Sequence, residues 1–462
     1  LVMNKKRLLI FVLLVALVMA LAACSPDYKW GPLDTGAADN SPLVSNGGSV
    51  VAYKGYIYFI NGTTSTYEAE NVFGEVVYGS VCRIAASKLD SVKENDFGTD
   101  EYAQALGAEV LAPKAVFSSN TTDARLNGIY IFNDRLYYTT PSDTLASDGS
   151  VRNIMLDIMS VKLDGTDTKR VYTLGSNSLS VGMFETDGGV FALFVDGDAN
   201  LVSLNLESGV ETKADEKVTS SALDVENASI VYTKDVVTEK ENQGTETTAD
   251  YNELYVLKAG QTAPSKIMTG QHADGQDVSY DFDASIASAA NGFVYFNISS
   301  DAHGRDGMYR ISQSVTDKRL ADATLLYRNV LSGASAYQDG FVYYNSTSKY
   351  IQFVKEGQAA KNLYYTETSP TFKFIEEETL YFEMDSALWS IPLSGETDAD
   401  TLLANKLTDK VNATSWLNYD ILDGKVFYMY TDDDVYLHFS EIGEAAKDKV
   451  IETYVLALAD EE

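Results

Sequence analysis

Eight times along this chain a turn-forming pair is followed by a short run of aromatic and aliphatic residues. The copies are Lys54-Gly55-Tyr56-Ile57-Tyr58-Phe59, Asn133-Asp134-Arg135-Leu136-Tyr137-Tyr138, Gly188-Gly189-Val190-Phe191, and a weaker Asn227-Ala228-Ser229-Ile230-Val231-Tyr232. Four more follow: Asn291-Gly292-Phe293-Val294-Tyr295-Phe296, Asp339-Gly340-Phe341-Val342-Tyr343-Tyr344, Glu377-Glu378-Thr379-Leu380-Tyr381-Phe382, and Asp423-Gly424-Lys425-Val426-Phe427-Tyr428. Asn-Gly and Asp-Gly between such runs mark tight hairpins, because both central residues must tolerate positive φ. A second run trails each copy, for example Val81-Cys82-Arg83-Ile84, Met308-Tyr309-Arg310-Ile311 and Leu388-Trp389-Ser390-Ile391. Its apolar–polar alternation reads as a strand. A glycine turn (Gly165, Gly209, Gly260, Gly357, Gly395, Gly443) often comes next, and then a short fourth strand such as Lys169-Arg170-Val171-Tyr172.

Each unit therefore supplies four strands, A to D, over residues 46–460. A lone four-stranded sheet leaves a face bare, and repetition around an axis covers it. The expected fold is all-β, a β-propeller of four-stranded antiparallel blades. Eight blades is the count; seven is the alternative, because the copy around Ile230 is degenerate and the first unit is long. A parallel β-helix is the runner-up, but its coils are shorter and lack these hairpin turns. Composition agrees: 30 tyrosines and 19 phenylalanines against 8 prolines and 3 histidines favour strands.

Gly55-Tyr56-Ile57-Tyr58-Phe59, Met308-Tyr309-Arg310-Ile311 and Leu163-Asp164-Gly165 carry a family likeness. The chain resembles bacterial lipoproteins whose propeller is similar to the low-density-lipoprotein-receptor type, in families described as domains of unknown function. The resemblance covers nearly the whole mature chain and implies a propeller. The Tyr-Trp-Thr-Asp tetrapeptide of the receptor type is not intact here, so the receptors' ligand biology does not carry over.

The amino-terminal segment reads as a lipoprotein signal over residues 1–23. Lys5-Lys6-Arg7 precede an apolar run from Leu8 to about Leu21, and Leu21-Ala22-Ala23-Cys24 has the small residues and cysteine of a lipobox. A plain secretory signal does not require the cysteine, and a retained membrane helix needs about 20 apolar residues. Cys24 is the expected lipidation site. It places the chain outside the cytoplasmic membrane, lipid-anchored to a bacterial membrane, with residues 24–45 as a tether to the propeller at 46–460. Several acyl chains hold a protein stably where one would not.

The formal net charge is −32, with 67 acidic against 35 basic residues, three of the latter in the signal. Such a surface excludes nucleic acid as a partner. With Cys24 assigned to lipid, Cys82 stands alone in a strand and reads as a small buried hydrophobe. Zinc-type spacings are absent. Asp196-Gly197-Asp198-Ala199-Asn200 lacks the later glycine and glutamate of a calcium loop and reads as a hairpin. No cofactor is expected beyond a weakly bound calcium ion.

With strand A innermost, the B–C and D–A connections share one face, and the A–B and C–D turns share the other. The A–B and C–D turns read as short. Long segments fall at Asn61–Gly79, Thr139–Asp157, Thr233–Asn252 and Thr269–Asp283. Loops on a rigid scaffold carry function disproportionately. The candidate ligand-binding residues are His272, Asp274 and Asp277 in one such loop, Asp301 and His303 close by, and Trp416 before the last inner strand. Hard cations or polar ligands would suit the carboxylates, although Asp and Gly are also ordinary turn residues, and Trp416 and Tyr419 equally suit a core. No Gly-x-Ser-x-Gly, His-Glu-x-x-His or phosphate loop occurs. The expected function is binding of a protein or envelope glycan as scaffold, adaptor or sensor. The alternative is a glycan hydrolase or lyase with carboxylates in the central funnel.

Overall fold

In the computed structural model, residues 43–44, 48–62, 79–92, 108–112, 115, 128–141, 156–174, 181–236, 251–271, 281–299, 303–328, 333–412, 419–431, 435–445 and 448–451 are described. They form eight four-stranded antiparallel sheets, and the strand order in every sheet is the chain order. Each blade is one contiguous segment: 50–112, 130–173, 182–215, 220–269, 285–327, 335–365, 371–408 and 420–451. The sheets stand in a ring as an eight-bladed propeller, with strand A at the axis.

The turns behave as their residues require. Lys54 and Gly55 have φ of 47° and 79°, Asn291 and Gly292 51° and 79°, and Asp423 and Gly424 48° and 73°. This double positive φ matches the twist of a two-residue hairpin. Glu377 and Glu378 hold φ of 46° and 61° without help from glycine, and the hairpin they close pairs Glu376 with Thr379.

A tyrosine ladder runs around the ring. Strand B of seven blades places a tyrosine (Tyr58, Tyr137, Tyr232, Tyr295, Tyr343, Tyr381, Tyr428) opposite a polar or aromatic residue of strand C. The partners, in order, are Arg83, Ser160, Tyr255, Arg310, Gln352, Ser390 and His438. Blade 3 has Leu193 opposite Ser203 instead. Burial raises these hydroxyls, Tyr58 and Tyr295 both to about 12. Tyr295 donates to Gln338 O at 2.8 Å and Tyr343 to Gln352 Oε1 at 2.6 Å. A register shift between strands C and D recurs in blades 1 to 7. Bulges there twist the outer edge away from open pairing.

The apolar core lies between blades. Phe427 and Phe439 of blade 8 pack with Val50 and Phe59 of blade 1 and Ile131 and Tyr138 of blade 2. Among the described residues this joint is made by packing, with no strand exchanged between the first and last blades.

One expectation needs correction. The A–B turns are short, but the C–D connections are not uniformly so. Blade 1 strand C ends at Ala85 and runs into a 3-10 helix, Ala86–Ser91, before strand D starts at Glu109. Blade 7 carries an α-helix, Ala399–Ala404, in the same place, capped by Asp398, which accepts from Thr401 N at 2.7 Å. Leu402 of that helix is buried against blades 6 and 7. An apolar residue reaching the inter-blade core makes such an excursion part of the fold.

Candidate functional site

Five long connections lie on the B–C and D–A face, while the C–D connections 86–108 and 393–405 lie on the other. The five are 62–79, 142–155 and 237–250 between strands B and C, and 113–129 and 270–284 between blades. Most of their residues lie outside the described set, but their flanks are placed. Arg305, between strands B and C of blade 5, sets its guanidinium 5.0 Å from the Phe282 ring centroid, and its Nη2 lies 3.5 Å from Asp281 O. The flanks of the two segments singled out in sequence therefore meet at one rim. Asp283 lies there too, its carboxyl raised by burial and then by Asp235. His303 is exposed on this rim. His272, Asp274, Asp277, Asp301 and Trp416, like Cys24, lie outside the described residues. Among the described residues no three His, Cys, Asp or Glu side chains converge as metal ligands.

The central channel is divided. On the side of blades 1 to 3 it holds Leu43 and Val44, which precede the first strand. Val44 pairs antiparallel with Ile131 of blade 2, and Leu43 N donates to Glu185 Oε2 of blade 3 at 2.9 Å. A Cβ on Gly128 would fall 1.6 Å from Gly48 O, so this close approach needs glycine. On the side of blades 4 to 7 a cavity of about 130 Å³ remains, lined by Ala287, Ala289 and Ala290 of blade 5 and Ala334 and Ala336 of blade 6, among others. Small side chains on strand A leave this space. Its charged lining residues are Glu226 and Lys373. Lys373 is held by Glu383 at 3.0 Å with its side chain 5% exposed, 5.9 Å from the Tyr419 ring centroid. Tyr419 is core: its hydroxyl accepts from Asn412 N at 2.9 Å and donates to Glu383 Oε1 at 2.8 Å.

Two features escaped the sequence reading. Arg83 and Arg310, at matching ladder positions, each reach into the next blade: Arg83 Nη1 donates to Leu163 O at 2.8 Å and Arg310 Nη1 to Asp339 O at 2.7 Å. Their shared Arg-Ile dipeptide was the available signal. The second is a cluster around His438, whose Nδ1 lies 2.8 Å from Asp448 Oδ2. Asp448 also accepts from Lys410 Nζ at 2.7 Å and from the Tyr428 hydroxyl. Burial opposes the charge of Asp448, but His438 and Lys410 hold its carboxyl below the usual range. A His–Asp pair beside Tyr and Lys has the makings of proton-transfer chemistry. Its place in the ladder gives the better account. His438 is the blade 8 counterpart of Gln352 and Arg310, fully buried and stacked on Tyr428 with ring centroids 5.7 Å apart. His438→Gln, which copies blade 6, is expected to cost no more than about 1–1.5 kcal/mol in denaturant unfolding. His438→Ala should cost about twice that. Equal losses for both would count against the ladder role.

No known protein-family profile matches the chain, and no curated protein does. Solved structures match at low identity. One is a puromycin-hydrolyzing peptidase of Mycobacterium tuberculosis, at 11% identity and TM-score 0.34 over 67% of this chain and 44% of that one. The chain thus spans less than half of the peptidase. Another is an oligogalacturonate lyase from Vibrio parahaemolyticus, at 10% identity and TM-score 0.38 over 90% of this chain and 100% of that one. A third is the β-propeller domain of the Trilobed protease from Pyrococcus furiosus, at 9% identity and TM-score 0.37 over 75% and 97%. These likenesses assign neither an activity nor a ligand to this chain.

Proposed function

We propose that this chain is a lipid-anchored extracytoplasmic propeller that binds a protein or envelope glycan through its long-loop face, as scaffold, adaptor or sensor. The observation that supports it best is the gathering of five long connections, three B–C and two D–A, on one face of the ring. The lipobox at Cys24 and the resemblance to bacterial lipoproteins support the anchor. Glycan cleavage would call for two facing carboxylates. Among the described residues lining the open half of the channel, Glu226 is the one carboxylate, so binding is the reading carried forward.

The strand registers supply a clean test. Val236 pairs with Tyr251, and Pro141 with Leu156, directly across the roots of two long loops. Replacing 237–250 and 142–155 each by Asn-Gly should leave two-residue hairpins and an intact ring. Crosslinking in the native host, followed by mass spectrometry of neighbours, is expected to recover a partner with the intact protein and lose it with the shortened one. Recovery of the same neighbours by both, with unchanged unfolding, would count against the loop face. Release of shortened oligosaccharides from envelope glycan would favour the cleaving reading.

A further inference from the structure

The inner strand of each blade has one side that no other strand of its own sheet covers. The two-residue turns fix which main-chain groups face that way. The pair flanking such a turn exchanges both of its hydrogen bonds, so the next pair inward points its N–H and C=O groups away from strand B. In blade 2 the flanking pair is Phe132 with Arg135, and the next is Ile131 with Leu136. Val44 takes the outward groups of Ile131: Val44 N donates to Ile131 O at 2.8 Å, and Ile131 N donates to Val44 O at 2.9 Å. Blade 6, diametrically opposite in the ring of eight, repeats the pattern. Tyr337 pairs with Gly340 across its turn and Ala336 with Phe341 next, so the N–H and C=O of Ala336 face the channel. Among the described residues no strand pairs with that side.

Ala336 lines the cavity of about 130 Å³, a space for on the order of ten waters. The other inner strands around that cavity offer poorer edges. Strand A of blade 5 shifts register between Ile286 and Ser288, and that of blade 7 between Phe372 and Phe374. Bulges of this kind discourage pairing. In blade 4, Ala222, Leu223 and Asp224 are buried, whereas Ala334 to Tyr337 of blade 6 are half-buried. The short side chains of Ala334 and Ala336 let a second backbone come close. The turns at this end are acidic. Glu226 lines the cavity, and Glu377 and Glu378 are exposed on the blade 7 turn, where Glu378 N donates to the Tyr337 hydroxyl oxygen at 3.2 Å. The lining cation, Lys373, is already held by Glu383. We propose that strand A of blade 6 is a strand-addition site, which takes an extended basic segment of a partner protein into the channel from the A–B turn face. The main chain of that segment pairs with Ala336 as Val44 pairs with Ile131, and its Lys or Arg side chains meet the turn carboxylates. The site needs neither the lipid anchor nor the long-loop face.

The probe is a fluorescent peptide of alternating valine and alanine with arginine at both ends, titrated into the full chain and followed by anisotropy. Saturable binding is expected, weakened about tenfold or more when alternate peptide amides are N-methylated. Ala336→Pro removes the channel-facing donor and no bond to strand B, and should weaken binding about fivefold. The N-methylated peptide keeps the test decisive should proline unfold the blade. No saturable binding, or equal binding of the N-methylated peptide, overturns the proposal. Equal binding of a peptide with glutamate at both ends overturns its basic character. In hydrogen exchange of the free chain, the Ala336 amide is expected to exchange faster than that of Ile131 and to become protected by the peptide. Protection of Ala336 before peptide is added would mean that another part of the chain covers the edge, and would overturn the proposal. Replacing 142–155 and 237–250 by Asn-Gly should leave peptide binding unchanged, so this site and the long-loop face fail separately. Loss of peptide binding in that shortened protein would place the peptide on the other face and overturn the proposal.

Discussion

Arg83→Ala is expected to lower the unfolding free energy by about 3–5 kcal/mol, the range for stripping one partner from a buried ion pair. The Arg83 side chain is 0% exposed. Its Nε donates to Glu109 Oε2 at 2.6 Å, its Nη1 crosses to Leu163 O of blade 2, and its guanidinium lies 4.7 Å from the Tyr56 ring centroid. Removal leaves a carbonyl, a carboxylate and a ring face without their cation at the joint of two blades. Arg310 makes contacts of the same kind at the joint of blades 5 and 6, with Asp339 O and Glu356 of blade 6 and stacked 4.3 Å from Phe293. There Glu356 is 48% exposed, and water can serve it when the arginine goes. Arg310→Ala should therefore cost less than half as much. Arg83→Lys keeps the charge but not the planar fork, and should fall between wild type and alanine. Denaturant midpoints at constant slope would measure all three. Equal costs for the two alanine variants would sink the burial argument.

The joint between the last and first blades should make stability depend on pH. Asp420 is fully buried and accepts from Ser49 N at 2.9 Å and from Ser49 Oγ at 2.7 Å. Burial outweighs these bonds and pushes its carboxyl up to about 7. The folded chain thus keeps a proton that the unfolded chain releases near pH 4. Stability from this group is full below about pH 4 and is lost as pH rises through 7, by on the order of 3–4 kcal/mol. Other carboxylates work in the opposite sense: Asp164, bonded by Thr166, and Asp448 sit below their usual range. The informative quantity is the difference between wild type and Asp420→Asn, measured by denaturant unfolding from pH 4 to pH 8. That difference should shrink steadily toward alkaline pH. A pH-independent difference would mean that Asp420 is ionised throughout.

The blades were legible because their signals are local. A turn such as Asn291-Gly292 needs positive φ at both central residues, and strands on either side alternate with a period of two. Both requirements are met within a dozen residues. The C–D excursions of blades 1 and 7 were not legible, since Leu402 finds its place only against neighbouring blades. His438 looked like a scattered histidine until its register opposite Tyr428 placed it in a ladder of seven. The loop residues His272, Asp274 and Asp277 drew attention as chemistry, yet polar turn composition alone does not say what a loop meets.

Strand number, blade order and the long B–C and D–A loops follow from residues close together in the chain. Blade closure, the leader in the channel and the perturbed Asp420 do not. Ser49 and Asp420 lie 371 positions apart. Nothing in either local sequence calls for the other, because burial and hydrogen bonding between them arise only when the eighth blade returns to the first.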